Sequence, residues 1–211
     1  MADIVGAYQL NDLSRCPHCA IAGPTLIKVW ASEDVTNRRD GGRPNYWAAY
    51  QCASCGSIIT AQSYPTTPGS NSRPVWRMFP SPRDAHEDLP EAARKFLQQA
   101  YETLHAPDAA AVMAGSCVDA MLKDKGYKDG SLYVRIDKAL ADNVLTQSMA
   151  DWAHSVRLGS NRPRHADADQ PHVSATEAQQ SVDFAEALGQ FLYVLTARIQ
   201  RGIEAAGAVG E

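Results

Sequence analysis

Cys16-Pro17-His18-Cys19 and Cys52-Ala53-Ser54-Cys55-Gly56 decide the fold of the first third of the chain. Each CxxC bracket sets two sulfurs two residues apart, where a tight backbone knuckle aims both at one ion. Two brackets supply four soft ligands, and a tetrahedron of thiolates suits Zn²⁺. Such a site leaves no coordination position for a substrate. The expected metal is therefore a structural Zn²⁺ held by Cys16, Cys19, Cys52 and Cys55, with His18 outside the ligand set.

Working outward, the brackets are embedded in strand-forming sequence. Thr25-Leu26-Ile27-Lys28-Val29-Trp30 has strand composition, Tyr46-Trp47-Ala48-Ala49-Tyr50 runs into the second bracket, and Gly56-Ser57-Ile58-Ile59-Thr60-Ala61 leads out of it. The stretch 37–45 is rich in turn formers. Knuckle, hairpin, knuckle and strand make a zinc ribbon over residues 1–64. Arg38, Arg39 and Arg43 stand at the predicted hairpin tip. There they are candidates for nucleic-acid contact, with Trp30, Tyr46, Trp47 and Tyr50 as stacking faces. The alternative is a solvated tip over an aromatic mini-core.

Residues 65–87 read as a proline-rich connector, in which Val75–Phe79 either adds a strand or packs on the next domain. From Asp88 the apolar period becomes helical. Asp88 is the expected N-cap of a first helix, and a second is expected from Asp108 to Lys125, stopping at Gly126. Shorter helices are expected over Ser131–Ala141 and Thr146–Arg157. A long last helix begins at the capping box Ser174-Ala175-Thr176-Glu177. Residues 88–207 are thus an α-helical bundle, with Cys117 as a small apolar core residue. The apolar face of the last helix suits either a dimer contact or the core.

The 211-residue chain is 45% apolar and 21% charged, ordinary for a globular protein. No apolar run reaches the length of a membrane span, and the N-terminus lacks the pattern of a secretory signal. A cytoplasmic location and the absence of membrane association are expected. Residues 1–80 carry seven Lys/Arg against five Asp/Glu, and residues 81–211 carry thirteen against nineteen. This excludes the strongly basic footprint of a protein that grips long nucleic acid by phosphate contacts alone, and leaves a local site open.

Arg157-Leu158-Gly159-Ser160-Asn161-Arg162-Pro163-Arg164-His165 gathers three further candidate types in nine residues. Guanidinium groups bind phosphate in two-pronged fashion, an imidazole moves a proton near neutral pH, and an amide orients either. Together they suit RNA cleavage without a metal: a base takes the 2′-hydroxyl proton and cationic charge stabilises the transition state. The alternative is a basic interhelical loop, following a helix broken by Gly159 and Pro163, that pairs with Asp167 and Asp169. His154, one turn before Arg157, is a second proton donor or a surface histidine beside Asp151.

The leading Cys-Pro-His-Cys, the second CxxC, the run Ser116–Tyr127, the run Gly130–Ile136, and Trp152–Arg157 with Asn161 and Arg164-His165 resemble domain of unknown function family 4145. That family resembles the HEPN superfamily, many of whose members are dimeric, metal-independent ribonucleases of toxin and phage-defence systems, while others are inactive binding modules. The resemblance implies an α+β protein: a small N-terminal zinc ribbon followed by an all-α HEPN-like helical bundle. It implies a homodimer through the helical domain and an RNA or DNA ligand. By position, Arg157 would hold phosphate, His165 would move the proton and Asn161 would position them, with Arg162 and Arg164 as nucleic-acid contacts. Seven residues separate Arg157 from His165, and Gly115 stands where many relatives carry an arginine. Asp119 matches an acidic position, or pairs with Arg157 or Arg164. A non-catalytic adaptor that binds nucleic acid or a protein partner is the reading from a different class.

Overall fold

A computed structural model of the chain describes residues 3–5, 9–11, 13–32, 38–64, 72–165 and 169–208. They form two compact units, Met1–Arg83 and Asp84–Glu211, mixed α+β in class.

The first unit is a six-stranded antiparallel barrel: β1 (Asp3–Val5), β2 (Gln9–Asn11), β3 (Leu26–Ala31), β4 (Tyr46–Cys52), β5 (Ile58–Ser63) and β6 (Ser72–Phe79). Each strand pairs with the next, and β1 closes the barrel on β6. The three strands expected around the brackets are present, but the sheet is twice as large as a bare ribbon. Part of the expected connector is strand: Ser72–Phe79 pairs with both β5 and β1. The unit boundary therefore lies after Arg83 and not at residue 64, because β6 supplies the backbone partners without which β5 would be an open edge. Connector residues 65–71 lie outside the described residues, as does the first residue of the expected 37–45 turn, and residues 80–87 follow β6 outside any strand or helix. Leu10, Leu26, Ala48, Tyr50, Ile59, Ala61, Val75 and Met78 fill the interior.

The second unit is helical: α1 (Glu91–Glu102), α2 (Pro107–Asp124), α3 (Leu132–Ala141), α4 (Gln147–His165), α5 (Ala175–Gly189) and α6 (Leu195–Ala208). α2 lies in the middle of the core, with Ala114, Cys117, Val118, Met121 and Leu122 fully buried. Burial pushes the Cys117 thiol up to about 12, as befits an inert core residue. The Ser174–Glu177 capping box is formed at the start of α5. A single π-helical segment, Gln190–Val194, joins α5 to α6. Within it Tyr193 donates its hydroxyl proton at the C-terminal end of α2, where the Met121 carbonyl and the Asp124 carboxylate both lie at 2.9 Å.

Two helix ends differ from expectation. Asp88 does not cap α1; Pro90 precedes its first turn, and the Asp88 carboxylate forms a two-pronged ion pair with Arg201 at 2.9 Å. α4 does not break after Arg157 but continues through Gly159 and Pro163 to His165. Pro163 falls in the last turn, where its missing N–H costs one hydrogen bond at most. Gly159 and Ser160 are buried where α4 meets α5 and α2.

Candidate functional site

The two brackets fold into twin knuckles. The Cys16 N–H donates to the Ile21 carbonyl and the Ala20 N–H to the Cys16 carbonyl; the Cys52 N–H donates to the Ser57 carbonyl and the Gly56 N–H to the Cys52 carbonyl. The residue after each second cysteine is left-handed, Ala20 at φ 59° and Gly56 at φ 74°. The four Sγ atoms lie within 4.8 Å of one another. Burial raises the Cys16 thiol to about 12, against the pull of the His18 and Cys19 backbone amides. Burial likewise raises Cys19 against the Ile21 amide. At Cys55 burial is outweighed by hydrogen bonds from the Ser57 side chain and backbone, so that thiol is held below its ordinary value. Amides directed at sulfur favour the thiolate form that a metal requires. Four clustered sulfurs with amide donors fit one metal ion. His18 is not among the ligands: its Nε2 hydrogen-bonds the Ile58 carbonyl at 2.9 Å and ties the first knuckle to β5.

The second site is a cavity of about 590 Å³ in the helical unit, walled by α1, α2, α3 and α4. Because α4 stays helical, Arg157, Asn161 and Arg164 follow the i, i+4, i+7 spacing of one face and line it together. Lys123 and Arg135 face them, so four cations meet one carboxylate, Asp119. Asp119 pairs with neither Arg157 nor Arg164. It is held by Arg135 and Lys123, each at 2.6 Å. Arg164 donates to the Ser116 hydroxyl at 2.8 Å and the Val112 carbonyl at 3.4 Å. Arg157 lies over the Tyr133 ring at 5.3 Å, with its Nε buried and without a described partner. Among the described residues no carboxylate pairs with either arginine. The cavity is thus built to accept negative charge.

The other sequence candidates lie elsewhere. His165 is exposed at the end of α4 and does not line the cavity. Arg162 bonds Glu177 at 2.6 Å and Gln170 at 3.0 Å, fastening α4 to the start of α5. His154 pairs with Asp137 at 3.0 Å, not with Asp151, and packs on Tyr133. Of the expected acidic partners in the loop after α4, Asp167 lies outside the described residues. Arg38 is paired with Asp40, Arg39 is exposed, and Arg43 lies over the Tyr64 ring at 5.6 Å. Tyr50 is fully buried, so it offers no stacking face. Lys123, Tyr133 and Arg135 were not singled out by sequence reasoning. Their contribution depends on α3 packing beside α2, and no spacing along the chain announces that.

A β-barrel whose four clustered cysteines could hold a metal ion, in one chain with a helical bundle that carries a cationic cavity, is the class of protein these features define. The chain belongs to the family described as Domain of unknown function (DUF4145), whose model matches residues 86–205, more than half of its length. No curated protein and no solved structure matches it. Among the described residues no helix is long and apolar enough to cross a membrane.

Proposed function

We propose that the protein is a zinc-stabilised, HEPN-like phosphate-binding protein. Zn²⁺ occupies the cysteine quartet and holds the barrel. The helical cavity takes a phosphate-bearing ligand, with Arg157 and Arg164 on the anionic oxygens and Asn161 beside them. The observation that carries this reading is the pair of arginines on one face of α4 that have no carboxylate partner among the described residues. Titration with pyrophosphate, followed by calorimetry, tests it. The native protein should bind, and Arg157→Ala with Arg164→Ala should reduce affinity at least tenfold while circular dichroism stays the same. Equal binding by both proteins would reject the cavity as the site.

Metal-independent RNA cleavage is the second reading, favoured by Arg157 and Asn161 sharing the cavity. His165 would then have to meet the cavity of a second copy. Such a homodimer is supported by the exposed stripe Phe191, Leu195, Ile199 and Ile203 along the last helix. Chelator-treated protein and His165→Ala, incubated with mixed RNA, separate the two readings. Cyclic phosphate ends that disappear in the variant support cleavage; intact RNA in both supports binding alone.

A further inference from the structure

Two irregularities of the barrel have a common effect on its outer surface. In β3 the register against β4 shifts between Lys28 and Trp30, and in β6 the register against β5 shifts where Gln62 opposes Arg77 and Ser63 opposes Val75. Each bulge adds one residue to its strand, and a bulge re-aims the side chains beside it. The result is two adjacent outward residues where a regular strand would alternate: Val29 and Trp30 in β3, Trp76 and Arg77 in β6. Trp30 is 54% exposed, Trp76 43% and Phe79 40%. Four of the aromatic residues form two stacked pairs, each with an arginine over one ring. Tyr64 stacks on Trp76 with centroids 5.6 Å apart, and Arg43 lies over Tyr64. Trp47 stacks on Phe79 at 6.0 Å, and Arg77 lies over Phe79 at 4.9 Å. The cross-strand row Trp30, Ala49, Thr60, Phe79 leaves two short side chains between two rings. Three strand spacings, about 14 Å, separate the row's ends.

Charge identifies the occupant. From Gly41 to Arg83 the chain contains four arginines and no Asp or Glu. Neither Arg43 nor Arg77 has a described carboxylate partner. A face that offers ring surfaces together with guanidinium groups, with no acid within its strands, matches the two components of an unpaired polynucleotide: exposed bases and a phosphate backbone. A duplex hides its base faces and gains nothing from the rings.

We infer that the outer face of β3–β6 binds single-stranded nucleic acid, with bases on the Trp30, Trp76 and Phe79 rings and phosphates on Arg43 and Arg77. This site is separate from the helical cavity and does not depend on it.

The test uses the full chain carrying Arg157→Ala and Arg164→Ala, so that the cavity does not contribute, and fluorescein-labelled 15-mers of dT and U at low salt. Three of the four tryptophans, Trp30, Trp47 and Trp76, lie in the barrel. Binding should therefore quench intrinsic fluorescence as anisotropy rises. Trp76→Ala should weaken binding roughly 5- to 150-fold, the range for losing one stacked base. Trp76→Phe should restore most of it. Arg43→Gln with Arg77→Gln should lower the slope of log affinity against log salt by about 1.4, for two phosphates on a single strand. These positions are at the surface, so circular dichroism should match throughout. The inference is overturned if the single strands do not bind, if a 15-bp duplex binds as tightly, or if affinity is indifferent to Trp76→Ala and to the double arginine variant. In the last cases the face belongs to a protein partner or to the helical unit.

Discussion

Gly115 and Ser160 mark a close approach of α2 and α4. A Cβ at Gly115 would lie 2.5 Å from Ser160 Oγ and 2.7 Å from Ser160 Cβ, both closer than real side chains come. Both partners sit inside helices, so neither backbone yields easily. Position 115 therefore has no room for an arginine: the space is already filled by α4. Gly115→Ala should destabilise the helical unit by about 1–3 kcal/mol, the cost of overpacking. Pairing it with Ser160→Gly should return part of that loss, giving a clear non-additive coupling in a double-mutant cycle by urea unfolding. Simple additivity of the two variants would mean the helices do not meet there. The knuckles pose a similar question of backbone fit. Gly56 takes its left-handed conformation without steric cost, whereas Ala20 adopts the same conformation with a Cβ. The first knuckle is the more strained of the twins.

At the level of elements, the start of α5 shows how local chemistry joins two helices. Glu177 accepts from the Ser174 N–H at 2.8 Å, closing the capping box, and also receives Arg162 from α4. The Ser174 backbone and side chain, then Arg162, lower the Glu177 carboxyl from 4.5 to about 2. A depressed carboxyl stabilises the fold fully above its unfolded value and loses that contribution as pH falls through the folded one. The window is therefore pH 4.5 down to about 2. The difference in melting temperature between native protein and Glu177→Gln should be constant above pH 5.5 and shrink steadily below 4.5. A difference that does not change with pH would show that the carboxylate is not engaged. The same elements show what could be read from the chain. Ser174 and Glu177, three residues apart before an apolar run, announce a helix start unaided. The knuckle spacing and the strands beside it were equally legible, because their chemistry is local. The strands β1 and β2 were not, since three residues carry no periodicity and take their conformation from distant partners. Gly159 and Pro163 misled for the opposite reason: their breaking tendency is outweighed by the packing of α4 on α2 and α5. That extension decides the cavity, since Arg164 shares a face with Arg157 only on an unbroken helix. The cavity's far wall, Arg135 and Lys123, had no signal at all beyond its positive charge.

Over the whole molecule, the proposed Zn²⁺ would give the two units different means of holding their folds. Asp84–Glu211 contains a continuous apolar core around α2 and carries twelve Lys/Arg against nineteen Asp/Glu. Its cationic cavity therefore stands out against a unit of net negative charge. Met1–Arg83 has a smaller core, in which the buried Cys16 and Cys52 belong to the quartet itself. A unit of that size has little apolar surface to bury, and a structural Zn²⁺ in a small domain supplies on the order of 10–16 kcal/mol at neutral pH. Without the ion, four thiols converge where charge and ligation should be, and two of them lose the reason for their burial. Removal of zinc by a strong chelator should therefore unfold the barrel and spare the bundle. Calorimetry of the native protein should show two transitions, of which the chelator abolishes one. Near-ultraviolet dichroism from Trp30, Trp47 and Trp76 should vanish, while helical far-ultraviolet dichroism persists. Refilling with Zn²⁺ should restore both, and Cys16→Ser with Cys52→Ser should reproduce the chelated state with no metal retained. If the barrel's transition survives quantitative zinc removal, the ion is not what holds it, and the apolar interior lined by Tyr50 and Ile59 is enough by itself.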